Sequence, residues 1–100
     1  MIHHIVLLKI SPECSRQELA DMDLALADLG KVIDGLLSYQ SGPNISPEGL
    51  EQGYNFGFVM TFADAAARDR YLPHPEHEKV KTMIGALLAP GPNNVLVYDF

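Results

Sequence analysis

The sequence predicts an α+β fold, with four antiparallel strands carrying helices on one face. Three observations point to it. Short apolar runs that read as strands open and close the chain, at 2–10 and 95–100. An alternating stretch, "YNFGFVMTF" (54–62), lies near the middle. Between these strands run segments with apolar residues at spacings of three and four, the pattern of a helix that buries one side.

Each element follows from its residues. "IHHIVLLKI" (2–10) is β-branched and apolar and is stopped by Ser11-Pro12, so it reads as the first strand. In "SRQE" (15–18), Glu18 follows Ser15 by three residues, a spacing that lets each side chain satisfy a backbone amide at a helix start. Leu19, Met22, Leu26, Leu29, Ile33 and Leu36 then form one stripe, with Asp21, Asp28 and Lys31 turned elsewhere. That predicts an amphipathic helix over 15–36, ending near Gly35. "LLSYQSGPNIS" (36–46) reads as a second strand ending at Gly42-Pro43, and "PEGLEQG" (47–53) as a loop. In 54–62, Tyr54, Phe56, Phe58, Met60 and Phe62 share one face, while Asn55, Gly57, Val59 and Thr61 share the other. Asp64 caps a short helix over "AAARDRYL", and Pro73 interrupts it. A further helical piece starts with Pro75 in its first turn and buries Val80, Met83, Ile84, Leu87 and Leu88. "APGPNN" (89–94) is a loop, and "VLVYDF" (95–100) is the last strand.

The order β-α-β-β-α-β is the ferredoxin-like split arrangement, here expected as a single domain over residues 1–100. An antiparallel sheet of this kind ordinarily leaves one face to water. Here Val6, Leu8 and Ile10 lie on one side of the first strand and Ile5 and Leu7 on the other; in the last strand Val95 and Val97 oppose Leu96, Tyr98 and Phe100. Helices cover only one of those faces. The second apolar face calls for a partner, and the economical one is a second copy, sheet against sheet, in a two-fold dimer.

Composition narrows the partners further. The net charge is −6 and the seven lysines and arginines do not cluster, which disfavours nucleic acid. No apolar run approaches the ~20 residues that span a bilayer, and no leader pattern is seen at the start. The lone Cys14 cannot form an internal disulfide, which suits a reducing cytoplasm. It has only Arg16 as a cationic neighbour, a poor setting for a nucleophile. No glycine-rich phosphate loop and no nucleophile triad can be placed, so no cofactor is called for. His74 and His77 lack a third ligand in register, and neighbouring strand residues such as His3 and His4 point to opposite faces, so no metal is assigned.

"YLPHPEH" (71–77) holds half of the four histidines. His77 lies three residues before Val80 and seven before Ile84, so it projects from the apolar stripe of its helix. An imidazole there suits proton abstraction near neutral pH, and its plain alternative is a core histidine bonded to a backbone carbonyl or to Tyr71. His74, just before Pro75-Glu76, reads as the residue that starts the helix.

"HHIVLLKI", "GPNIS", "GYNFGFVMTF", "YLPHPEHEKV" and "VLVYDF", in that order, resemble the stress-responsive A/B barrel (Dabb) proteins almost from end to end. The resemblance implies a ferredoxin-like protomer whose four-stranded sheet pairs with a second copy to close a dimeric α+β barrel. The family includes small plant stress proteins and bacterial proteins of unassigned role, and it resembles a plant polyketide cyclase that works without a cofactor. In the cyclase-like members a tyrosine and the second histidine of H-P-x-H line a cavity between helices and sheet. Carried over, these are Tyr71, which orients the substrate, and His77, the general base. His4 matches another cavity-facing position, in strand parity with Val6. Phe56 stands where that pattern has a polar ring. The ligand-binding set so implied is His4, Val6, Phe56, Tyr71, His74 and His77. Some members also hold a hard cation near the dimer interface, which this sequence does not assign.

Three functions are compatible with these residues. The leading one is a homodimer that binds a small apolar or aromatic ligand between helices and sheet. The second is a cofactor-independent cyclase or isomerase acting on a keto or polyketide-type substrate, with His77 as base. The third is a purely structural, stress-related oligomer.

Overall fold

The computed structural model describes residues 1–100. The elements are β1 (Ile2–Leu8), α1 (Arg16–Asp28), β2 (Leu36–Pro43), β3 (Phe56–Phe62), α2 (Ala65–Tyr71), α3 (Pro75–Leu87) and β4 (Val95–Asp99). The sheet is antiparallel throughout in the order β2-β3-β1-β4, which is the split arrangement expected from the sequence. No helix is long and apolar enough to cross a membrane.

The helix starts are where side-chain chemistry puts them. The Glu18 amide donates to Ser15 Oγ at 3.1 Å, and the Ser15 amide donates to the Glu18 carboxylate at 3.0 Å. Asp64 accepts from the Ala67 amide at 2.8 Å and so starts α2. Pro75 occupies the first turn of α3.

The helix expected over 15–36 is shorter. It stops at Asp28, residues Leu29–Lys31 form a 3-10 turn, and Leu36 already belongs to β2. Leu36 must pair opposite Phe62, which requires the chain to reverse beforehand, and Gly35 does so at φ +86°. Ile33 and Leu36 remain buried from a turn and a strand, so their spacing mimics a helical stripe. β2 ends at Pro43 rather than 46, and β3 begins at Phe56 rather than Tyr54. Asn55 is not a strand residue because its side chain substitutes for one: it accepts from the Ile10 amide at 2.8 Å and donates to the Ile10 carbonyl at 3.0 Å.

Gly35 is also a contact point. A Cβ built there would lie 2.5 Å from the Cβ of Ala67 in α2, and the positive φ is strained for any L side chain. Gly35→Ala should therefore cost about 2–4 kcal/mol, the sum of backbone strain and overpacking. In a domain of this size that lowers the thermal midpoint by roughly 10–30 °C. Circular dichroism melts check this, and an unchanged midpoint would mean that α2 can back away freely.

The core lies between the helices and one sheet face. Val6 and Leu8 of β1 and Phe56, Phe58, Met60 and Phe62 of β3 are buried against Met22 and Leu26 of α1, Ala67 and Tyr71 of α2, and Val80 and Leu87 of α3. Register puts Ile5, Leu7, Val59, Leu96 and Tyr98 on the outer face, together with Ser38, Gln40 and Thr61. No Asp, Glu, Lys or Arg occurs among the outward strand positions, in a chain of which 20% is charged. The helices also leave the inner side of β4 uncovered: Val97 pairs with buried Val6, yet is 56% exposed. That gap is the mouth of the cleft described next.

Candidate functional site

Between α3 and the β1/β4 side of the sheet runs a cleft of about 350 Å³. Its walls are apolar, built from Val6 and Leu8 of β1, Phe58 of β3, Ile84 of α3 and Val97 of β4. Into it converge His4, Tyr71 and His77. A larger groove of about 700 Å³ lies on the outer side of the sheet, beside the loop after β2, but no imidazole borders it. Titratable groups able to move a proton at neutral pH meet only in the smaller cleft, which makes it the candidate site.

Each polar group is held by a named partner. Strand alternation points His4 inward and His3 outward, and the inward ring is buried. His4 Nδ1 donates to Asp99 Oδ1 at 2.7 Å, because a carboxylate can only accept. Arg68 Nη1 of α2 donates to the other carboxylate oxygen, Asp99 Oδ2, at 3.3 Å. The carboxylate thus ties β1, β4 and α2 together and fixes the His4 tautomer. Tyr71, the last residue of α2, is buried; its ring lies 5.2 Å from that of Phe62 and 5.8 Å from that of His4. The break at Pro73 folds α3 back so that His77 stacks on Tyr71 with ring centroids 4.0 Å apart. His77 Nδ1 donates to the Leu72 carbonyl at 2.9 Å, which leaves Nε2 as the nitrogen with a free lone pair.

Burial sets the protonation states. Desolvation pushes the His77 imidazole below its ordinary value, against the smaller opposing pull of the Leu72 carbonyl. Desolvation also pushes the Tyr71 phenol well above its ordinary value. At neutral pH the cleft therefore offers a neutral imidazole that accepts a proton and a phenol that donates one. The depressed imidazole has a consequence for stability. Above about pH 6.5 His77 is neutral in both the folded and the unfolded chain. As pH falls below that value the unfolded chain takes up the proton first, and folded stability declines until pH passes the lower value of the native ring. Urea midpoints measured from pH 7.5 to 5 should fall, and fall less steeply in His77→Gln; parallel curves would rule out this source.

Of the six expected ligand-binding residues, the structure brings His4, Val6, Tyr71 and His77 to the cleft. The other two lie elsewhere. His74 is the cap of α3, its Nδ1 accepting from the Glu76 amide at 3.1 Å. Phe56 sits at the far end of β3, paired with Leu8 and Pro43, in the core. Sequence reasoning passed over Asp99 and Arg68. The available signal was Asp99 itself: in a closing strand with Val95 and Val97 on the inward parity, Asp99 is the one acid that faces the helices.

The model of the stress responsive A/B barrel domain matches residues 2–100. The chain belongs to the stress-responsive A/B barrel family. Over 100 residues it is 28% identical to the stress-response A/B barrel domain-containing protein HS1 of Arabidopsis thaliana, covering 99% of this chain and 87% of that relative. Among solved structures of the fold, a dimeric ferredoxin-like protein of unknown function from Jannaschia is 31% identical, with a TM-score of 0.87 over 99% of this chain and 96% of that one. A hydroxynitrile lyase from Passiflora edulis, 14% identical, shares the A/B barrel protomer fold with a TM-score of 0.86 over 99% of this chain and 90% of that one.

Proposed function

We propose that this A/B barrel protein works as a homodimer, sheet face against sheet face, in which each protomer binds a small aromatic or keto compound in the cleft between α3 and the sheet. The observation that carries the ligand reading is the convergence of His4, Tyr71 and His77 on a mostly apolar trough, whose one charged lining residue is Lys81 of α3. At about 350 Å³ the trough sits at the small end of ligand pockets, room for one substituted ring. An uncharged second sheet face and the dimeric description of the Jannaschia relative support the self-association.

Gly85 offers a clean test. It borders the cleft, and a Cβ built on it meets nothing within 4 Å. Gly85→Leu should keep the fold, since it also improves helix propensity, while filling the trough. In a thermal-shift and NMR titration with substituted phenols and aryl ketones, the wild-type chain should bind and Gly85→Leu should bind at least about tenfold more weakly. A blank screen, or equal binding by both, would count against a ligand in this cleft.

The geometry also favours a second reading, because the Leu72 carbonyl leaves His77 Nε2 free to accept a proton while the imidazole stacks on the ring of the protonated Tyr71. Such a pair can take a proton α to a carbonyl and donate to the enolate oxygen that develops. The direct assay is exchange of the α-hydrogens of an aryl ketone in D2O. Wild-type protein should accelerate it and His77→Ala should return it to the solvent rate; equal rates would remove catalysis and leave binding standing.

A further inference from the structure

The connection between β2 and β3, residues 44–55, is long for a hairpin, and connections of this length are usually functional. It carries two aliphatic side chains almost entirely in water: Ile45 is 88% exposed and Leu50 70%. Neither contributes to the core. Yet the loop is well fixed by its own hydrogen bonds. The Asn44 amide donates to the Asn55 carbonyl at 3.0 Å, and Asn44 Nδ2 donates to the Tyr54 carbonyl at 3.0 Å. The Ser46 amide donates to Asn44 Oδ1 at 2.9 Å. The Tyr54 hydroxyl crosses to the loop before β4 and donates to the Asn93 carbonyl at 2.9 Å, while Lys9 Nζ lies 4.9 Å from its ring centre. Ile45 is therefore presented from a set backbone, between the anchored Asn44 and Ser46, while Leu50 precedes the turn closed by the Tyr54 amide donating to the Glu51 carbonyl at 3.0 Å.

The loop stands as a wall along one end of the outer sheet face. The groove of about 700 Å³ between them has Leu7, Gly57 and Leu96 as its floor and Ile45, Leu50 and Tyr54 on its loop side. That floor is the same uncharged face proposed to meet a second copy, so a partner lying on it reaches the groove without a break in the apolar surface. A small-molecule occupant would need convergent polar groups to orient it; of the polar residues along the groove, Asn44, Ser46 and Tyr54 already spend their side chains on hydrogen bonds within the protein, which leaves Glu48, Glu51 and Gln52 on the loop.

We infer that residues 44–54 form a preorganised arm that grips the second copy, with Ile45 and Leu50 packing on the partner and extending the two-fold interface beyond the sheet. This rests on the dimer reading above and adds a separable claim to it. In a dimer each arm appears twice, so both losses count double in a variant.

The test is the dissociation constant of the full chain, measured by sedimentation over a dilution series, for wild type and for the double variant Ile45→Ser/Leu50→Ser. Both side chains are exposed, so the protomer should fold unchanged, and the dissociation constant should rise by about a hundredfold. Isotope-filtered NOE spectra on a dimer mixed from labelled and unlabelled wild-type chains should connect the Ile45 and Leu50 methyls to the other copy. A wild-type dimer whose constant the double variant leaves unchanged, or whose methyls show no such contacts, overturns the arm and leaves the sheet interface standing. A wild-type chain that stays monomeric at 100-micromolar order overturns both.

Discussion

Leu96→Asp is expected to sediment as a folded monomer at concentrations where the wild-type chain is a dimer. Leu96 pairs with Leu7 on the outer sheet face and is 39% exposed in the protomer, so an aspartate there is solvated in the single chain. Pressed against a second apolar face, the same carboxylate loses its water and meets no Lys or Arg on any outward strand position; the nearby Lys9, just past β1, lies over the Tyr54 ring. Unpaired burial of a charge costs several kcal/mol, and the two-fold imposes it twice. The dissociation constant should rise by about a thousandfold or more, roughly 4 kcal/mol. The monomer's thermal midpoint at high dilution should stay that of the wild-type monomer. Retention of the dimer at an unchanged constant would show that this face is not where copies meet.

The second large effect lies inside the protomer. Phe62 is fully buried, pairs with both Ile2 and Leu36, and packs its ring 5.2 Å from Tyr71 and 6.1 Å from His4. Removing it leaves a void where β1, β2, β3 and α2 meet, in a place ringed by aromatic side chains that cannot collapse inward. Phe62→Ala should cost about 3–5 kcal/mol and lower the thermal midpoint by roughly 15–35 °C. It should also disturb the site from below, because Tyr71 and His4 both rest on that ring. Urea denaturation gives the energy, and the imidazole resonances of His4 and His77 report the site. A loss under about 1 kcal/mol would mean that the neighbourhood refills the space.

Much of this was readable from the residues because it depends on local rules. Ser15 and Glu18, Asp64 and Pro75 announce helix starts through chemistry that acts within three residues. Phe56, Phe58, Met60 and Phe62 announce a strand face through parity alone. The misplaced end of α1 has a different origin. Spacing reports that Ile33 and Leu36 are buried and is silent about the backbone that buries them; the turn at Gly35 is imposed by Phe62, a partner far along the chain. The site divides the same way. His4 and His77 were visible through strand parity and helix period. Tyr71 and His77 are stacked by the break at Pro73, a local kink. The role of Asp99 needed the register of β4 on β1, which no window of neighbouring residues contains. His74 had two competing uses, and the bare amides at the start of α3 took its ring nitrogen.

His4 and Asp99 are separated by 95 positions, so the hydrogen bond that orients the buried imidazole closes nearly the longest loop the chain can make. Closing so long a loop costs more chain entropy than closing the hairpin of β2 and β3. The contact is also exposed to fraying, because β4 is a five-residue sheet edge whose only strand neighbour is β1. Brief peeling of that edge strand dismantles the proton-handling groups while the remaining three strands stay intact. Amide hydrogen exchange should therefore be faster in Val95–Asp99 than in Phe56–Phe62, and whatever fills the trough or covers the edge should slow it.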